Sequence, residues 1–320
     1  MPVRRTHLAF LAAAVLPFVA ACGDDKRPVT TTIPGSSSSP TVVASTDSGM
    51  SSGTVTETTA GTVPVSYVDA ESAYTARKYA DAAELFGSYT RSNPDNPWGH
   101  YMHGLSAWKA GDPEQAMTSF DEALRIDPRH RKSLLNSARV LLDTGRPREA
   151  IERIERAMAL EPLSAEGLRL LGRARYELKQ IPEAIDAYQR AIAVDERDVW
   201  AMNNLGLIYI QQDRSDAALP VLARAVELRR ESPVFQNNLG TALERTGHFA
   251  AAKTAYEAAL AADSAYGKAA ASLARVTPHV GSDTTTVDLS ALATEFQAEV
   301  ERWRDVGVAV DSSEAVDTLQ

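Results

Sequence analysis

Small and apolar residues return along this chain every 34 residues, in six blocks whose register never slips: 63–96, 97–130, 131–164, 165–198, 199–232 and 233–266. The eighth place holds Ala70, Gly104, Ala138, Gly172, Gly206 and Gly240. The twentieth holds Ala82, Ala116, Ala150, Ala184, Ala218 and Ala252, and the twenty-seventh Tyr89 and then alanine five times. Between them the twenty-fourth place is large: Phe86, Phe120, Ile154, Tyr188, Leu222 and Tyr256. Helical spacing of these positions predicts two helices per block, with small side chains where the axes approach and a large one filling the gap beside them. Gly111, Gly145 and Gly247 fall at the turn between the helices, where a left-handed residue is wanted. Pro113, Pro147 and Pro182 open second helices, where a missing N–H costs nothing. Pro94, Pro128 and Pro162 close the first three blocks. One such pair cannot bury its own apolar face, so neighbours must stack. Residues 267–277 (GKAAASLARVT) start like a seventh first helix, with Ala274 at the eighth place, and then stop at Pro278; they predict a capping helix.

This pattern resembles the tetratricopeptide repeat over residues 63–266. The resemblance implies an all-α solenoid of six helix-turn-helix repeats whose first helices line a concave groove. In that family places 2, 5, 6, 9, 12 and 13 tend to face the groove, which takes a segment of another protein. Three sets of residues occupy those places here. The first is aromatic: Tyr67, Tyr74, Trp98, Tyr101 and Trp108, with Tyr176 and Trp200 further on. Buried aromatics anchor interfaces, although Tyr74 and Trp108 can equally pack between repeats. The second is amide: Asn136, Asn204 and Asn238 at place 6, with Asn203 and Asn237 beside two of them. An amide both donates and accepts, so it can pair with a bound peptide backbone or with its own neighbours. The third is basic: Lys132, Arg139, Arg169 and Arg173 converge on the third and fourth repeats, near Glu166 and Asp143. Like charges facing one hollow attract anions; a solvated face with ion pairs is the other reading.

Outside the array, Arg4-Arg5 and the apolar run Leu8–Ala20 predict an export signal over residues 1–21, too short for a membrane span. The sole cysteine follows it, and Val19-Ala20-Ala21-Cys22 resembles the lipobox of bacterial lipoproteins. That resemblance implies cleavage before Cys22, a lipid on its sulfur, and a protein tethered to a membrane of the cell envelope; plain secretion is the alternative. Residues 22–62 are rich in Ser and Thr, lack apolar periodicity and read as a disordered tether. Forty such residues span about 35 Å on average.

After a link over 278–287, the stripe Leu289, Leu292, Phe296, Val300 and Trp303 predicts an amphipathic helix over 288–304, capped by Asp288, with Glu295, Glu299 and Glu301 off the stripe. Docking on the array is expected. Residues 305–320 are acidic and read as a loose end that visits the basic groove.

The net charge of −9 argues against nucleic acid as a partner, and a single cysteine excludes an internal disulfide framework and a cysteine-cluster zinc site. His100 and His103 share a helix face but lack a third ligand, so packing is their expected role and no metal or cofactor is implied. No phosphate loop, nucleophile elbow or zinc motif is present, and no segment outside the array is long enough for a catalytic domain. The sequence therefore reads as a non-enzymatic, membrane-anchored scaffold with a protein or peptide ligand and no small-molecule substrate. Among narrower readings it is similar to pilotins that assist secretin assembly. A self-assembling structural protein and an accessory subunit of a cell-wall enzyme or glycosyltransferase are the others.

Overall fold

The structure, a computed structural model, describes residues 65–282 and 286–317, with the side chains of the last helix as far as Asp305. The export signal, Cys22 and the tether lie outside the described residues. Twelve helices form six antiparallel pairs: α1 Tyr67–Thr75 with α2 Tyr79–Ser92, α3 Pro97–Ala110 with α4 Pro113–Ile126, α5 Arg131–Asp143 with α6 Pro147–Leu160, α7 Ala165–Glu177 with α8 Ile181–Val194, α9 Val199–Gln211 with α10 Ser215–Leu228, and α11 Pro233–Arg245 with α12 Phe249–Ala262. The half-repeat α13 Gly267–Val276 follows, then a 3-10 turn, Thr277–Ser282, and α14 Leu289–Asp317. Among the described residues there is no strand.

The helix ends follow from local chemistry. Ser66, Asn96, His130, Ser164, Asp198 and Ser232 each accept a backbone N–H from the first turn of the first helix they precede. Each cap is worth about 1 kcal/mol. Place 15 is left-handed in every repeat. Glycine holds it at Gly111, Gly145 and Gly247, but Arg77, Lys179 and Asp213 are forced to φ of 60°, 64° and 60°. A side chain there costs roughly 1–2 kcal/mol. Replacing Lys179 by glycine is therefore expected to stabilise the array by about 1 kcal/mol. Loss of the ammonium contact with Tyr176 (5.6 Å) offsets part of the gain. A raised urea midpoint would show the relief; a lowered one would show that the cation–ring contact outweighs the backbone strain.

In the four repeats with glycine at place 8, the large residue at place 24 packs on the bare backbone there. A Cβ added to Gly172 would lie 2.8 Å from the Tyr188 ring, and one added to Gly206 2.5 Å from Leu222 Cγ. Phe86, Phe120, Ile154, Tyr188, Leu222 and Tyr256 are all fully buried, as are Ala82, Ala116, Ala150, Ala184, Ala218 and Ala252.

Between pairs, the backbone of each first helix packs closely on that of the next first helix, from α1 through α13. Among the described residues no two second-helix backbones approach so closely, and α4 and α6 meet through the Arg153–Asp121 ion pair (2.7 Å). The array therefore bends toward its first helices, which line the inner, concave layer. On the outer side α14 packs across α8 and α10. Ala293, Phe296 and Val300 are buried there, and Asp288 caps the helix through Ser290 and Ala291 (3.0 Å each). Arg304 donates to the Ala193 carbonyl (2.8 Å) at the C-terminal end of α8 and pairs with Glu196 (3.2 Å).

The seat has a sequence cause. At places 22 and 25 of the second helices the other repeats carry Glu84, Thr118, Glu152, Asp186 and Thr254, and Gly87, Asp121, Glu155, Gln189 and Glu257. The fifth repeat alone puts Pro220 and Ala223 there and so opens an uncharged outer face. Two tail expectations need correction. Glu299, expected off the buried stripe, is half-buried, and burial pushes its carboxyl above the usual range. The helical backbone also continues through Asp317, where a loose end was expected.

Candidate functional site

The concave layer divides into two chemically different stretches. Over the second and third repeats it is aromatic. Trp98, at place 2, is 40% exposed. It meets the Tyr101 ring edge-on at 5.7 Å and the His130 ring at 4.7 Å, and the Lys132 ammonium lies 5.1 Å from its centre. Lys132 has no carboxylate partner among the described residues, so its charge faces the groove beside the exposed indole. Leu105 and Trp108, half-buried at places 9 and 12, continue this surface along α3.

The other aromatic candidates serve packing. Tyr67 is wedged against Phe86 (5.4 Å) and Tyr89 (5.5 Å), and burial raises its pKa to about 12. Tyr101 is buried, its phenol pushed well above the usual range by desolvation. Tyr74 packs against Tyr79 (5.4 Å), and Trp200 against Phe235 (4.9 Å) with the Arg229 guanidinium 5.5 Å away. Buried Tyr176 donates to Gln211 of the next repeat (2.5 Å).

From the third repeat onward the concave layer is zipped by its own polar groups. The three arginines of the expected open basic field are closed by carboxylates. Arg139 pairs with Glu166, Arg169 with Asp198 (2.9 Å), and Arg173 with both Asp143 (2.9 Å) and Glu177 (2.9 Å). The Glu166 and Asp143 contacts cross from one repeat to the next, and Asp198, at place 34, ties α7 to the start of α9. Burial works against the charge of Arg169 and Arg173, but the facing carboxylates more than offset it and both pKa values rise. Carboxylate partners already in place close the three arginines to the acidic tail and leave Lys132 as the open cation of that set, and the docked part of α14 lies on the outer layer.

The amides bond mainly to one another. Asn237 donates to Asn238 (3.3 Å), Asn238 to Asn203 across the repeat boundary (2.8 Å), Asn203 to Asn204 (3.4 Å), and Asn204 to the buried Tyr188 hydroxyl (3.3 Å). Asn136 donates to the Lys132 carbonyl (2.9 Å) and accepts from Arg139 (3.0 Å). A buried amide keeps its partners because leaving them is costly. These rungs therefore hold the repeats in register, and at least one N–H of each amide expected to face a peptide is already engaged.

His100 contacts the Pro94 carbonyl (2.9 Å) and His103 the Ser119 hydroxyl (3.2 Å). Among the described residues no group of three or more His, Cys, Asp or Glu could hold a metal, and no helix is long and apolar enough to cross a membrane. Two site residues were not singled out in the sequence, His130 and Asp198. Both sit at place 34, the capping position shared with Asn96, Ser164 and Ser232, and that register was the available signal.

Tetratricopeptide repeat models match residues 67–133, 135–198, 180–233 and 235–266, most of the array. No curated protein matches the chain. Among solved structures, a tetratricopeptide repeat protein from Parabacteroides merdae ATCC 43184 is 11% identical with a TM-score of 0.55, over 65% of this chain and 81% of its own. The Cut9–Hcn1 hetero-tetramer of the APC/C gives 19% and 0.58, over 65% of this chain and 41% of the other. MamA from Desulfovibrio magneticus RS-1 gives 24% and 0.47, over 51% and 92%. With four matched segments spanning more than half of its length and the helix pairs in the register those repeats require, the chain belongs to the tetratricopeptide repeat family.

Proposed function

We propose that this protein is a membrane-anchored adaptor that holds a segment of a partner protein in the concave layer of its second and third repeats. Repeat arrays of this family are protein-interaction scaffolds. The observation that carries the placement is Trp98, a large aromatic side chain left 40% exposed on the inner layer beside the uncompensated Lys132, while the groove arginines further on are paired. Exposed aromatics of this kind are the usual anchors of interfaces. The anchor in the proposal rests on Val19-Ala20-Ala21-Cys22 and on the tether that would hold the array off the membrane.

The test places a photo-crosslinking residue at Trp98, at Leu105, or at Glu152 on the exposed outer face of α6 in the full chain, followed by fractionation of the cells. Crosslinks to one partner from Trp98 and Leu105, none from Glu152, and recovery in the membrane fraction that Cys22→Ser shifts to the soluble one are the expected results. Crosslinks from Glu152 alone would overturn the groove reading. Membrane recovery unchanged by Cys22→Ser would overturn the anchor.

A further inference from the structure

We propose that His130 makes the aromatic stretch of the groove acid-sensitive: its neutral imidazole caps α5 and supports Trp98, and protonation withdraws both. The inference rests on the groove reading only for its consequence, since the switch itself is a property of the free protein.

The cap requires the neutral form. His130 Nδ1 accepts the Ser133 backbone N–H (3.3 Å) and lies 2.8 Å from the Ser133 hydroxyl, so the ring proton is on Nε2. Nε2 is buried and has no partner. Protonating Nδ1 turns this acceptor into a donor, so the Ser133 N–H loses its acceptor. It also puts a positive charge at the N-terminus of α5, where the helix dipole disfavours it.

The surroundings push the same way. From α3 come Trp98 and Tyr101, neither charged, with ring centres 4.7 and 5.3 Å from the imidazole. On α5 Lys132 repels a second cation, and Arg131 is engaged with Glu161 at the C-terminal cap of α6. Asp127, in the α4–α5 connection, alone favours the charged form. Burial, helped by Lys132, outweighs Asp127 and holds the imidazole pKa below the ordinary 6.5.

The register shows that the histidine is a choice at this place. Asn96, Ser164, Asp198 and Ser232 cap their helices from the equivalent position and do not become cations at any pH between 5 and 8. Only the third repeat ends its cap on acidification, and only there does the cap touch the exposed indole that the groove offers a ligand.

The sign follows from the lowered pKa. The stabilisation by neutral His130 is complete above pH 6.5 and is lost as pH falls from there through the folded-state value. His103, whose pKa is also lowered by burial, bonds Ser119, away from the Trp98 ring.

The experiment follows tryptophan emission of the full chain from pH 8 to pH 5, with Trp98→Phe subtracted to isolate Trp98, in wild type, His130→Asn and His103→Asn. Asparagine keeps the cap, as Asn96 does, and removes the titration. Loss of the Trp98 emission with a midpoint below 6.5, abolished by His130→Asn and kept by His103→Asn, is expected. A transition that survives His130→Asn, or none in the wild type, would overturn the proposal. NMR titration of His130 in the unmodified chain gives an independent reading: a midpoint at or above 6.5, or Nδ1 carrying the proton at pH 8, would overturn it too. Crosslinking from position 98 at pH 7.5 and 5.5 then separates the two readings. An emission change with no crosslink at pH 7.5 sinks the groove and leaves the switch standing.

Discussion

Replacing Phe296 by alanine is expected to free α14 from the outer face of the array. Phe296 is 2% exposed, packs edge-on against Trp303 at 5.6 Å and is the largest fully buried side chain of the docking stripe. Truncating a buried phenylalanine costs about 3–5 kcal/mol. The remaining contacts include Ala293, Val300 and the Arg304 links to Ala193 and Glu196, and an exposed ion pair adds little. Away from the array α14 has no second face to hold it, because an isolated helix is marginal in water. Hydrogen exchange of the α14 amides should therefore rise steeply in Phe296→Ala, with a smaller rise in α8 and α10 as their outer faces become wet. Protection of α14 equal to that of the unmodified chain would mean that the helix is held elsewhere.

Asp198→Ala should cost about as much for a different reason. One carboxylate oxygen of Asp198 accepts the first-turn N–H groups of Trp200 (3.1 Å) and Ala201 (3.0 Å), and the other accepts from Arg169 Nε (2.9 Å). The side chain is 8% exposed. Alanine removes a cap worth about 1 kcal/mol and leaves the Arg169 guanidinium largely buried without its counter-charge. Breaking one side of a buried pair costs about 3–5 kcal/mol. Asp198→Asn retains an oxygen for the cap and separates the two contributions. Its urea-unfolding loss should be smaller than that of alanine by roughly the value of the cap. Equal losses would show that the cap contributes nothing, and a loss under about 1 kcal/mol for alanine would show that the pair is screened like a surface one. Weakened partner binding by Arg169→Ala would accordingly report on the fold of the α7–α9 contact as well as on any ligand.

Much of the fold was legible because a repeat states its packing rule six times. Gly206 against Leu222 and Gly172 against Tyr188 are the same small-against-large contact, and one instance in sequence would have meant little. The left-handed residue at place 15 was legible only where glycine marked it. Lys179 and Asp213 adopt the same conformation because the stacked helices on both sides impose it. The candidate site was harder to read. Place numbers bring Trp98 and Arg169 to the same layer, but they do not say that Arg169 lies 2.9 Å from Asp198, which is 29 residues away. Nor do they say that Asn238 spends its donor on Asn203.

What the sequence determined by itself is periodic: the helix pairs, their small-to-large contacts, the capping half-repeat and the amphipathic stripe before Trp303. Each depends on side-chain size and spacing within a stretch of about two helices, which the chain order carries directly. What only the tertiary structure decided is which charges and amides neutralise one another, that Trp98 stays open while Tyr67 and Tyr101 close, and that α14 settles between α8 and α10. Those outcomes depend on distances between separate repeats and on the outward splay of second helices in a bent stack. A residue number does not contain that geometry.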